Sequence, residues 1–87
     1  MKMVHEYTTP IRIGAVAYTA QTWGDPRDDG MWEGWLEFVP DDGGPILRTK
    51  RETAQSTLGA LTYWATGIEA VYLEGAAKRA LDQTRVA

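Results

Sequence analysis

The chain contains no cysteine. A disulfide framework and a thiolate metal site are both excluded. His5 is the only histidine, and one imidazole with carboxylates is not a ligand set that zinc ordinarily takes. Ser56 is the only serine; it has no Gly-x-Ser-x-Gly context and no base beside it. The glycine pairs lie in acidic turns and match no phosphate-binding loop, and Asp28-Asp29 and Asp41-Asp42 lack the spacing of an EF-hand. No catalytic residue, metal site or cofactor is therefore expected. Basic excess is also missing: the net charge is −3 and the pI about 5.0. That balance argues against general nucleic-acid binding, in which neutralised phosphate supplies most of the affinity. No apolar run reaches the length of a membrane span, and the first residues hold no signal-peptide core. The expected setting is the cytoplasm.

What is present is aromatic. Four tryptophans and four tyrosines stand among 87 residues that are 44% hydrophobic and 24% charged, a globular composition. One domain of this size buries only about 60–65% of its unfolded surface. So many rings exceed what one small core needs, which points to a homodimer interface or a ligand surface.

The stretch Met31 to Pro40 alternates strictly. Trp32, Leu36 and Phe38 face one way, while Glu33, Trp35 and Glu37 face the other. A period of two marks a half-buried strand. Residues 1–10 read as an arm that becomes ordered near Tyr7. Ile11 to Thr22 reads as a strand of mostly small residues, in which Gly14 could mark a bulge. Turn formers then fill Trp23–Gly30 and Pro40–Pro45, and Ile46 to Thr49 reads as a short third strand. The expectation is α+β: a single domain with a three-stranded antiparallel meander over 11–49 and a helical segment over 50–83 on one sheet face.

Thr49-Lys-Arg-Glu52 fits a capping box, with Thr53 and Ser56 as a weaker alternative. Beyond it, Ala54, Leu58, Leu61, Ala65, Ile68 and Tyr72 recur at helical spacing. Gly67 interrupts that stripe, and Thr66-Gly-Ile-Glu69 repeats the capping pattern. A straight helix of roughly 33 residues would extend about 50 Å, beyond so short a sheet. Two helices, 51–65 and 67–83, or one kinked at Gly67, are expected. Gly75-Ala76-Ala77 and Ala80 give the second a small-residue face.

Three groups are candidate contact sites. Glu33, Trp35 and Glu37 form a ring flanked by carboxylates, suited to a cationic or sugar-like ligand or a partner's arginine. The ordinary reading is a solvated sheet face whose acids pair with Arg12, Arg48 or Lys50. Arg48, Lys50, Arg51 and Glu52 lie where the third strand meets the expected helix start, a place that can hold an anion, or simply a capped, solvated turn. Tyr63, Trp64 and Tyr72 fall near the Gly67 break and either line a pocket or belong to the core.

Trp32-Glu-Gly-Trp-Leu-Glu-Phe38, Leu47-Arg-Thr-Lys-Arg-Glu-Thr53, Tyr63-Trp-Ala-Thr-Gly67 and Val71-Tyr-Leu-Glu-Gly-Ala76 together resemble a family of short uncharacterised bacterial proteins. The resemblance covers most of residues 30–81 and implies a bacterial, mobile-element origin, but no activity. The strand-strand-strand-helix order is also similar to HicB-type antitoxin domains, although the glycine-and-proline signature of their third-strand region is missing. The leading expectation is a non-enzymatic interaction module, homodimeric, that binds through the aromatic and acidic sheet face. A rival is a small-molecule binder with a pocket between sheet and helices lined by Tyr63, Trp64 and Tyr72. A HicB-like partner-binding domain is a further alternative. A small enzyme would need Glu52 or Glu69 buried at that pocket, with Arg48 or Arg51 in reach.

Overall fold

The computed structural model describes residues 1–86. It is α+β, with an antiparallel sheet followed by two helices. The sheet has six strands, not three, arranged in four tracks. β1 (Lys2–Glu6) and β2 (Ile11–Ile13) both pair with β3 (Val16–Pro26). β3 pairs with β4 (Trp32–Pro40), and β4 pairs on its far side with β5 (Leu47–Arg48) and β6 (Thr53–Gln55). The central position of β4 and its two-sided alternation agree with the sequence.

The additional strands come from three corrections. The expected arm contains β1, whose register to β3 shifts between Met3 and His5; this bulge breaks the period of two by which strands are recognised. The expected strand Ile11–Thr22 folds back on itself at Gly14-Ala15. Ile13 opposes Val16, Gly14 has φ of +61°, and among the described residues no non-glycine has positive φ. A two-residue hairpin with glycine first is the type II′ arrangement. Ile11, Ile13, Val16 and Tyr18 consequently share a face that simple alternation divides.

The third correction concerns residues 50–57, expected to begin the helical segment. Between the pairs Glu37↔Arg48 and Gly34↔Thr53, Trp35 and Leu36 on β4 lie opposite Thr49, Lys50, Arg51 and Glu52. Thr49 stitches this irregular edge to β4. Its amide donates to Leu36 O at 2.9 Å, and its hydroxyl accepts from Leu36 N at 3.0 Å. The helix starts later: α1 spans Leu58–Thr66 and is capped by Thr57, whose hydroxyl accepts from Ala60 N at 3.0 Å. The break at Gly67 is present, and α2 spans Ala70–Val86.

Both helices cover one sheet face. α1 lies over β1, β4 and β6, and α2 over β2 and β5. Leu61 of α1 is fully buried above paired Gly24 and Gly34. On α2, Leu73, Ala76, Ala77 and Ala80 pack on Ile11, Tyr18, Phe38 and Leu47. The small residues bring α2 close, and most of the large side chains in that cluster come from the sheet. Each of Phe38, Leu36 and Leu61 contributes roughly 1.5–3 kcal/mol by burial. No helix among the described residues is long and apolar enough to cross a membrane.

Candidate functional site

The sheet face away from the helices carries two rows of side chains, set by strand register. In one row Met3, Trp23 and Trp35 are successive cross-strand neighbours. In the other, Glu6, Gln21, Glu37 and Arg48 cross four strands. The polar row is internally paired: Gln21 Nε2 donates to Glu6 Oε1 at 2.9 Å, and Arg48 forms a loose ion pair with Glu37, Nε to Oε2 3.9 Å. Each indole is tied to that row. Trp23 Nε1 donates to Gln21 Oε1 at 2.9 Å, and Trp35 Nε1 to Glu37 Oε2 at 3.0 Å.

Trp35 therefore lies on the expected face but is not an open contact ring. It is 4% exposed, and the Arg48 guanidinium stands 4.3 Å from its ring centre. Glu33, Trp35 and Glu37 do not act together either. Glu37 belongs to the ring's own hydrogen bond, whereas Glu33 opposes Asp25 at the other end of β4 and borders the Arg27-Asp28-Asp29 loop. Trp23 and Gln21 complete the surface but were hidden, because Trp23 opens the turn-rich stretch.

Since α1 begins at Leu58, the helix start expected at Thr49–Glu52, beside Arg48, Lys50 and Arg51, is not there, and the anion site read from it loses its basis. Glu52 instead anchors α2. Its carboxylate Oε1 accepts from Tyr72 OH at 2.7 Å and from Arg79 Nη2 at 2.5 Å. Burial, followed by the hydrogen bond and negative charge of Glu52, raises the Tyr72 pKa above that of an ordinary tyrosine, while Arg79 opposes the shift. Arg48 and Arg51 do not pair with Glu52.

Tyr63, Trp64 and Tyr72 are brought together, on the outside of the molecule. With Ile68, Glu69 and Val71 they line an open groove of about 650 Å³ at the corner where α1 turns into α2. Tyr63 is 84% exposed, Val71 72% and Tyr72 39%. Trp64 and Tyr72 stand nearly perpendicular, with centroids 6.4 Å apart. The pocket expected between sheet and helices thus lies on the outer side of the helix junction. Val71 was not singled out in the sequence; its place beside Tyr72 in the first turn of α2 is the signal that could have found it. Among the described residues no group of three or more histidine, aspartate or glutamate side chains could hold a metal ion.

Comparison of the chain with known protein families, with curated proteins and with solved structures finds no match.

Proposed function

We propose that this protein is a small binding module without catalytic chemistry of its own, and that its contact site is the aromatic groove at the α1–α2 corner. The observation that supports this is the exposure of Tyr63, Val71 and Tyr72 side by side around one concavity. Large apolar side chains clustered in this way mark contact sites more often than scattered single ones do. The Glu52 carboxylate holds the Tyr72 ring from behind, so part of the site is preorganised. Titration with small apolar probes, followed by the amide resonances of residues 63–72, tests the reading. Saturable shifts confined to that corner are expected, and shifts centred on the sheet would remove the groove as the site.

A second reading, self-association through the open sheet face, is favoured by the polar row. Its ends have opposite charge: Glu6 stands on one outer track and Arg48, 55% exposed, on the other. A second copy related by a two-fold axis along the strands brings each Glu6 over the other copy's Arg48, and Trp23 over Trp35. Sheets stacked face to face lie about 10 Å apart, within reach of such side chains. Strand addition at the sheet's edges is the weaker route. β1 carries a bulge and the β5–β6 track an irregular, charged insertion, features that discourage edge pairing. Molar mass in solution as a function of concentration tests this reading.

A further inference from the structure

We propose that the corner groove takes a small organic cation of the quaternary-ammonium type, an inference that rests on the groove being the contact site. Three aromatic rings line it: Tyr63, Trp64 and Tyr72. The faces of such rings are electron-rich and attract a cation within about 6 Å of the centroid. Trp64 and Tyr72 both line the groove and stand perpendicular to each other, and the hydrogen bond from Tyr72 OH to Glu52 holds the second ring in place.

The charges around the groove point the same way. Among the described residues its lining has one charged side chain, the exposed carboxylate of Glu69, and no basic one. The helix ends oppose each other. The last carbonyls of α1 present a negative pole and the first amides of α2 a positive one. Glu69 immediately precedes α2, so its negative charge offsets that positive pole. Arg79 lies 5.9 Å from the Tyr72 ring centre, but it is held by Glu52 and does not line the groove. The balance left for a ligand is therefore negative.

Ile68 and Val71, in the remaining wall, are apolar and suit the methyl surface of a substituted ammonium, while Glu69 supplies the opposite charge. A quaternary ammonium has a charge and an apolar methyl surface but no donor to satisfy, and it fits both parts of the lining. An anion of the same shape meets Glu69, and a neutral molecule gains only the apolar contact.

Three probes of matched shape separate these cases: choline, its neutral carbon isostere 3,3-dimethylbutan-1-ol, and the anion 3,3-dimethylbutanoate. Each is titrated into the wild-type chain while the amide resonances of residues 63–72 are followed. Choline is expected to bind about tenfold more tightly than the alcohol, and the butanoate more weakly still. Glu69→Gln should reduce the preference for choline over the alcohol several-fold and leave the alcohol's affinity unchanged. Tyr63→Ala, at an exposed position, should weaken choline binding without loss of the folded spectrum. Equal binding of choline and alcohol overturns the cation preference and leaves the groove as a contact site. Tightest binding of the butanoate overturns the assigned sign of charge. No perturbation by any probe overturns both the cation preference and the groove itself.

Discussion

At Gly34 a Cβ would stand 2.6 Å from Leu61 Cδ1 and 3.2 Å from Thr53 Cγ2; at its cross-strand partner Gly24 it would stand 2.5 Å from Leu61 Cδ2. The paired glycines form the floor on which one leucine rests, so two absent methyl groups set the distance of α1 from the sheet. Leu61 is fully buried and has little room to withdraw. Gly34→Ala gains about 0.5–1 kcal/mol in backbone entropy but overpacks the site at a cost of about 1–3 kcal/mol. A net loss of up to about 2.5 kcal/mol is expected in chemical denaturation. Leu61→Ala alone should cost about 2–5 kcal/mol. Because the two side chains would compete for one space, the double variant should be more stable than the sum of the single losses predicts, by about 0.5–3 kcal/mol. Strict additivity would show that Leu61 does not rest on this floor.

At the scale of elements, Tyr7 fastens three of them. Its amide donates to Ala20 O at 3.0 Å and extends the pairing of β1 with β3. Its hydroxyl donates to Ala65 O in α1 at 2.7 Å and lies 2.7 Å from Thr22 Oγ1 in β3. Burial raises the Tyr7 pKa, and the Thr22 hydrogen bond only partly offsets the rise. The sign of the pH effect follows. With a folded pKa above the unfolded value near 10, the folded state binds more protons than the unfolded one once pH exceeds that value. The stabilisation is complete below pH 10 and declines as pH rises toward and through the folded pKa. Tyr72, also raised, adds in the same direction. Urea denaturation between pH 8 and about 11 should show a steeper loss for wild type than for Tyr7→Phe, which should itself be about 1–3 kcal/mol less stable at neutral pH. Parallel pH profiles would reject the role given to this hydroxyl.

Which elements were legible depended on whether a local pattern and a tertiary contact competed. β4 was legible because its alternation is unbroken and nothing else claims those residues. The Gly67 break was legible because the helical stripe has no larger residue there. β1 was not, since its bulge disrupts the period. The hairpin at Gly14-Ala15 was not, because Ile13 and Val16 on either side of it are both strand formers and read as one continuous strand. Thr49-Lys-Arg-Glu52 is a sound capping pattern, yet pairing with β4 takes the Thr49 hydroxyl and Tyr72 with Arg79 takes the Glu52 carboxylate. The corner site was half legible. Tyr63, Trp64 and Tyr72 stood out as a group, but their outward aspect depends on Leu61 being the buried member of α1. Tyr63, two residues on, then lies about 200° around the helix, facing away from the sheet.

For the whole molecule, both helices stand on one side of the sheet, and among the described residues the other side is covered only by its own side chains. The proposed self-association through that side would draw on two contributions of different size. Each Glu6–Arg48 pair at the rim is solvent-exposed and contributes about 0.2–1 kcal/mol; the two-fold axis supplies two such pairs. In such a dimer the pairs would fix orientation, and most of the affinity would come from Met3 and the incompletely buried Trp23. Trp35 adds little, because Arg48 already covers it within the monomer. Trp23→Ala should therefore abolish dimerisation or weaken it more than thirtyfold, the loss of a central aromatic anchor being about 2 kcal/mol or more. Arg48→Glu should weaken it by about two- to thirtyfold, and adding Glu6→Arg should restore it, because exchanging both charges recreates the pairing across the axis. Trp35→Ala should lower stability with little change in association. Sedimentation equilibrium on these four variants measures each outcome. A wild-type chain that stays monomeric at millimolar concentration, or a Trp23→Ala variant that dimerises like wild type, would leave the open face without the role assigned to it.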